Sequence, residues 1–158
     1  TTGTPSGGAG GTGGGAAGCT APAFVAVAED AGMYLGAFRY IAQTTLGDPV
    51  DVLTFELVDG TPDVGTLTIT AAGYESCTNC VRLDRGCDGN LTNCTKTLLA
   101  QGGTIEVTSS GAPGATFAGT LNDAQFVEVT IDSSQVSTPV SGGEQFCMAP
   151  YAFSATIQ

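Results

Sequence analysis

The residues of this chain best suited to chemistry are its six cysteines: Cys19, Cys77, Cys80, Cys87, Cys94 and Cys147. Four of them fall in one stretch, CTNCVRLDRGCDGNLTNC, spaced C-x2-C-x6-C-x6-C. Clustered thiolates can hold a structural zinc, exchange disulfides or form permanent bridges. Zinc ribbons pair two short C-x2-C knuckles, whereas the second half here has a six-residue gap and the chain has no histidine to complete a ligand set. A thioredoxin-like use of Cys77 and Cys80 needs a βαβ setting, which the flanking sequence lacks. Structural disulfides are therefore the expected use, and they imply an oxidising compartment. Six cysteines leave many pairings open. The expectation is that the cluster pairs within itself and that Cys19 bonds Cys147, tying the first strand to the last. Closing so long a loop contributes up to about 4–5 kcal/mol in chain-entropy terms.

Oxygen ligands come next. Asp84, Asp88 and Asn90 share the cysteine-rich stretch, and Asp48/Asp51 and Asp59/Asp63 flank turns. Hard cations take several carboxylate and carbonyl oxygens from loops, so calcium is the one cofactor these residues suggest, with Asp84, Asp88 and Asn90 as its candidate ligands. No stretch matches the D-x-[DN]-x-[DN]-G loop, and Asp or Asn in turns commonly bonds its own backbone. Asn90 (in NLT) and Asn93 (in NCT) match the N-glycosylation sequon and are acceptors if the source glycosylates.

Catalytic sets are missing. Without histidine there is no Ser-His or Cys-His pair. The single lysine, Lys96, sits in a strand-like segment, and GGAGGTGGG is not followed by Lys-Ser/Thr, so it is no phosphate loop. Glu56, Glu106 and Glu128 fall at outward positions of alternating segments, where solvated strand faces account for them. The expectation is a protein that is not an enzyme. There is no Trp, and the Tyr and Phe residues fall mostly at inward positions, which leaves little exposed aromatic platform for a glycan.

The elements that must position these groups read as strands. VDVLTFELV (50–58) alternates, with Leu53, Phe55 and Leu57 facing a core and Thr54 and Glu56 outside. CVRLD (80–84) puts Val81 and Leu83 opposite Arg82 and Asp84. AFVAVAE (23–29) reads as a strand, MYLGAFRYIAQTT (33–45) as a strand or a bent strand pair around Gly36, and TLTIT (66–70) as a further strand. TKTLLA, QGG and TIEVTS (95–109) read as a hairpin with a Gly-Gly turn. TFAGTL, QFVEVTID and QFCMAPYAFSATI complete roughly nine or ten short strands separated by turn signals. No segment of helical length carries a 3.6-residue period. The expected fold is all-β, a disulfide-braced antiparallel β-sandwich over residues 19–158, preceded by a Gly-rich extension or linker at 1–18.

Only 12% of residues are charged, and four basic against fifteen acidic side chains give a net charge of −11. So few cations exclude a nucleic-acid partner, and an anionic membrane surface would repel the chain. No hydrophobic run approaches the roughly 18 residues of a transmembrane span. Thr, Ser and Gly in place of Lys and Glu suit a secreted β-protein.

The block SCTNCVRLDRGCDGNLTNCTKTLLAQGGTIEVTS, followed by FVEVTIDSSQVSTPVSGGEQFC, resembles secreted or lipid-tethered surface proteins of the myxobacterial type. These carry a Gly-rich leader and a cysteine-bearing β domain ending in a similar segment. The likeness covers about residues 65–150. It implies an extracellular or cell-surface location and carries no catalytic residues with it.

Two functional expectations follow. The first is a non-enzymatic structural or adhesive protein that self-associates, as in the subunit of a surface filament. Pro22, Phe24, Val25 and Val27 would then form the segment shared with a neighbouring copy. The second is a tethered cell-surface domain that binds calcium or carbohydrate, with the Gly-rich segment as its linker.

Overall fold

The structure, a computed structural model, describes residues 23–158. Twelve strands and no helix occur among them. The first six are β1 (Ala28–Tyr34), β2 (Ala37–Gln43), β3 (Val50–Leu57), β4 (Gly65–Thr68), β5 (Asn79–Cys87) and β6 (Lys96–Ala100). The others are β7 (Thr104–Ser109), β8 (Thr116–Asn122), β9 (Gln125–Ile131), β10 (Ser137–Pro139), β11 (Gln145–Cys147) and β12 (Tyr151–Thr156). An eight-stranded sheet runs β1-β2-β3-β5-β6-β9, with β10 and β11 end to end along the far side of β9. A four-stranded sheet runs β12-β8-β7-β4, and the paired strands in both sheets are antiparallel.

Aromatic side chains from the facing surfaces make the core. Phe38 and Phe55 of the large sheet meet Phe117 and Phe153 of the small one, with ring centroids 4.8 Å apart for Phe38–Phe117 and 5.2 Å for Phe55–Phe153. Tyr40 lies 5.3 Å from Phe153. Burying each such ring contributes roughly 1.5–3 kcal/mol, so this layer dominates the cohesion between the sheets. The Leu53/Phe55/Leu57 and Val81/Leu83 faces point inward as the alternation requires. The expected disulfide-braced antiparallel sandwich is the observed fold.

At the seam between the sheets, the Tyr40 and Tyr151 hydroxyls both donate to Glu29 Oε1, at 2.5 Å and 2.7 Å. The two hydroxyls are 2.7 Å apart. Burial pushes both phenols far above their ordinary value, and the Glu29 carboxylate adds to the shift. The C-terminus closes the same seam: Ala31 bridges Ile157, and Gln158 N–H donates to Ala31 O at 2.8 Å.

Two sequence expectations change. The run 23–27 is not a strand; β1 begins only at Ala28 and ends in a tight hairpin at Leu35–Gly36, both with positive φ (50° and 91°). Such a two-residue turn matches the twist of the flanking strands, so the 33–45 stretch resolves into two strands. The QGG segment is not a hairpin turn either, since β6 pairs with β5 and β9 while β7 pairs with β8 and β4. The chain changes sheets there. Gly103 has φ 118°, and a Cβ on it would lie 2.8 Å from Asn122 O and 2.9 Å from Ala124 Cα, so two crossing segments meet where no side chain fits.

Several sheet edges are short or interrupted, while β12, also at an edge, runs six residues. The free side of β1 is met at Ala31 by the C-terminal residues, β10 is three residues long and carries Pro139, and β4 is four residues long. Short or interrupted edges are poor templates for adding a strand from another chain.

Candidate functional site

Alternation places Tyr34 of β1, Arg39 and Ile41 of β2, Val52, Thr54 and Glu56 of β3, and Arg82 and Asp84 of β5 on the outer face of the large sheet. This face is partly covered. Thr54 is only 6% exposed and Asp84 7%, although both were expected on an open surface.

The cover comes from a bulge in β5. Val52 pairs with Asp84 but Val50 with Cys87, so Arg85 and Gly86 together oppose the single residue Asp51. Gly86 supplies φ 59°, and its N–H donates to Asp51 Oδ1 at 2.9 Å. The extra residue inverts the alternation and aims Cys87 at the outer face, where strict alternation would have turned it inward. Cys87 then bonds Cys94, and with Leu91 it packs on Val50 and Val52. The disulfide-closed loop thus forms one wall of a recess of about 360 Å³ lined by Tyr34, Arg39, Thr54, Arg82, Asp84 and Asn90 among others.

Its charges are paired. Arg39 Nη2 lies 2.9 Å from Glu56 Oε2, and Arg82 Nε 2.7 Å from Asp84 Oδ2. Thr97 donates to Asp84 Oδ1 at 2.7 Å and Tyr74 OH to Glu56 Oε2 at 3.0 Å. Burial holds the Tyr74 phenol above its ordinary value. Arg39 stacks on the Tyr34 ring at 4.4 Å, and Arg82 approaches the Tyr74 ring at 5.4 Å. Arg39 Nε is buried and has no hydrogen-bond partner among the described residues. The other two cations sit at a different margin, where Arg85 and Lys96 both pair with Glu144. There Lys96 also approaches Glu128, so this glutamate, expected on a solvated face, is held by Lys96 at 3.3 Å and by Glu144 N–H at 2.8 Å. A recess of similar size between Thr61–Val64 and Ser110–Gly111 contains no paired charges.

The candidate metal ligands are engaged by different partners. Asp84 is held by Arg82 and Thr97, while Asp88 accepts from Asn90 and Thr92 N–H at 3.2 Å and 3.0 Å and from Asn93 Nδ2 at 2.6 Å. The Thr92 amide, followed by the Asn93 side chain, holds the Asp88 carboxyl below its ordinary value. Asn90 lines the recess beside Asp84, and Asp88 does not. No group of three or more His, Cys, Asp or Glu side chains that could hold a metal occurs among the described residues. Both sequon residues, Asn90 and Asn93, are exposed on this loop.

Within the cysteine cluster, Cys77 bonds Cys80 and Cys87 bonds Cys94. Cys147 is not free, and Cys19, its expected partner, lies outside the described residues, as does Pro22. Phe24 packs edge to face on Tyr151 at 5.3 Å, and Ala26 also joins the core of its own chain. Val25 and Val27 point outward, 68% and 60% exposed.

Sequence reasoning missed Arg39, Tyr34 and Tyr74 as site residues, and treated the aromatics as core. For Arg39 the available signal was the alternation itself, since it falls out of phase with Phe38 and Tyr40; Tyr34 shares their phase in the sequence, and only the two-residue turn at Leu35–Gly36 carries it to the Arg39 face. Comparison with protein-family models, with curated proteins and with solved structures returned no match. No helix among the described residues is long and apolar enough to cross a membrane.

Proposed function

We propose that this chain is an extracellular, non-enzymatic adhesive domain whose working surface is the outer face of the large sheet. The observation that carries the reading is the recess itself, where Arg39, Arg82 and Asp84, each held in an ion pair, share a lining on a rigid sheet with a disulfide-closed loop. Fixed polar groups on regular strands are pre-organised for binding. Two disulfides and the acidic, charge-poor composition support an oxidising location. The test has two parts. Non-reducing peptide mapping of native material should find both bridges in the extracellular or envelope fraction. Labelled protein should be retained on cell-envelope or matrix preparations; if it washes off all of them, the adhesive reading fails.

A second reading, self-association, draws on the outward Val25 and Val27. Strand sharing through residues 22–27 has little support, because Phe24 and Ala26 pack within their own chain. Negative-stain images showing filaments that a Val25→Ser/Val27→Ser variant no longer forms would establish it.

A further inference from the structure

We propose that the recess on the outer face binds a neutral saccharide, gripped by Arg39, Arg82 and Asp84 against the ring of Tyr34, with Asn90 on the covering loop. The proposal rests on the adhesive reading and names its ligand.

The electrostatics select the class. Each guanidinium that lines the recess is already paired, Arg82 with Asp84 in the lining and Arg39 with Glu56 beside it, so neither offers an uncompensated charge. A small anion would have to compete with Glu56 and Asp84 and approach a chain of net charge −11. A cation would have to displace Arg82 and Thr97 from Asp84, or Arg39 and Tyr74 from Glu56. An apolar ligand would strand buried polar groups. A neutral polyol avoids all three costs.

Its hydroxyls both donate and accept. They can take N–H bonds from the guanidinium groups and give O–H bonds to the remaining lone pairs of Asp84 without breaking the pairs already made. Sugars also carry a C–H face that packs on aromatic rings. Tyr34 is 53% exposed with Arg39 against its ring, so the guanidinium braces the ring while much of its surface stays open. The volume of about 360 Å³ lies within the range of small-ligand sites, roughly 300–1,000 Å³.

The test is an array of neutral and uronic-acid oligosaccharides, followed by calorimetry on the glycan retained. Tyr34→Ala and Arg82→Met should each weaken binding tenfold or more, with Asn90→Ala as a loop variant that leaves the sheet intact. Glu106→Gln, on the opposite sheet, should bind like the parent. Thermal melting of each variant identifies any loss that comes from unfolding. Retention of uronic-acid glycans alone, with affinity falling steeply in salt, overturns the neutral assignment. Retention of a neutral glycan that these variants leave untouched overturns the site. An array with no retained glycan overturns the proposal, while the adhesive reading is judged separately by retention on envelope preparations.

Discussion

Gly86 links backbone conformation to the recess, and Gly86→Ala is the change that probes this most directly. Two effects add. At φ 59° an L side chain costs roughly 1–2 kcal/mol, offset by about 0.4–1 kcal/mol because alanine restricts the unfolded chain more than glycine does. The new Cβ would also lie 2.6 Å from Thr95 Oγ1, which donates to Arg85 O at 2.9 Å. Moving that hydroxyl sacrifices a hydrogen bond whose net contribution is about 0.5–1.5 kcal/mol. The sum is about 2 kcal/mol of destabilisation. For a chain of this length it lowers Tm by roughly 4–8 °C, at about 2–4 °C per kcal/mol. Urea unfolding followed by circular dichroism gives the free energy, and repeating it on a Thr95→Ala background separates the two effects. With the hydroxyl gone, Gly86→Ala should cost about 1 kcal/mol, leaving a coupling of similar size. A neutral or stabilising Gly86→Ala would refute the left-handed backbone at the bulge, and a cost identical in both backgrounds would refute the close approach to Thr95.

Three further outcomes are expected. Gly119→Ala should cost about 1–3 kcal/mol in urea unfolding, because the added Cβ runs into the Glu106 carbonyl and lies 2.8 Å from Phe153 Cζ; the same stability as the parent would contradict that close approach. Replacing Cys87 and Cys94 together by serine should cost about 2–3 kcal/mol by loop entropy, somewhat more than replacing Cys77 and Cys80, whose loop is shorter. The alkaline limb follows from the raised phenols of Tyr40 and Tyr151. Both states are protonated well below pH 10, and above about pH 10 the unfolded chain releases these protons while the folded chain retains them, so stability falls as pH rises. Absorbance at tyrosinate wavelengths should show these two groups ionising only with unfolding, and Tyr151→Phe should flatten the loss.

Much of the fold is legible in local pattern. Alternation in VDVLTFELV and CVRLD identifies both the strands and their inward faces, because a strand's two sides are set by a two-residue period that needs no partner. The clustered cysteines announce bridges within the cluster, since closing a loop of a few residues is the easiest pairing to reach. What failed was non-local. A Gly-Gly pair marks a sharp change of direction, but the letters do not distinguish a hairpin from a change of sheet, and Gly103 is a corner because Asn122 and Ala124 cross beneath it. Likewise the alternation puts Val50 and Val52 outside, and only the returning Cys87–Cys94 loop packs on them.

The sequence by itself determined the β class, the core faces of individual strands, the clustering of four cysteines and the absence of a histidine-based catalytic set. Tertiary structure alone decided the site. Arg39, Glu56 and Arg82 lie on three different strands and become neighbours only through the registers Arg39↔Glu56 and Thr54↔Arg82. Those registers are chosen by burial of both sheet faces together, a free energy summed over the whole sandwich. One extra residue at Gly86 then reverses which way Cys87 faces, and with it decides whether the outer face is open or roofed.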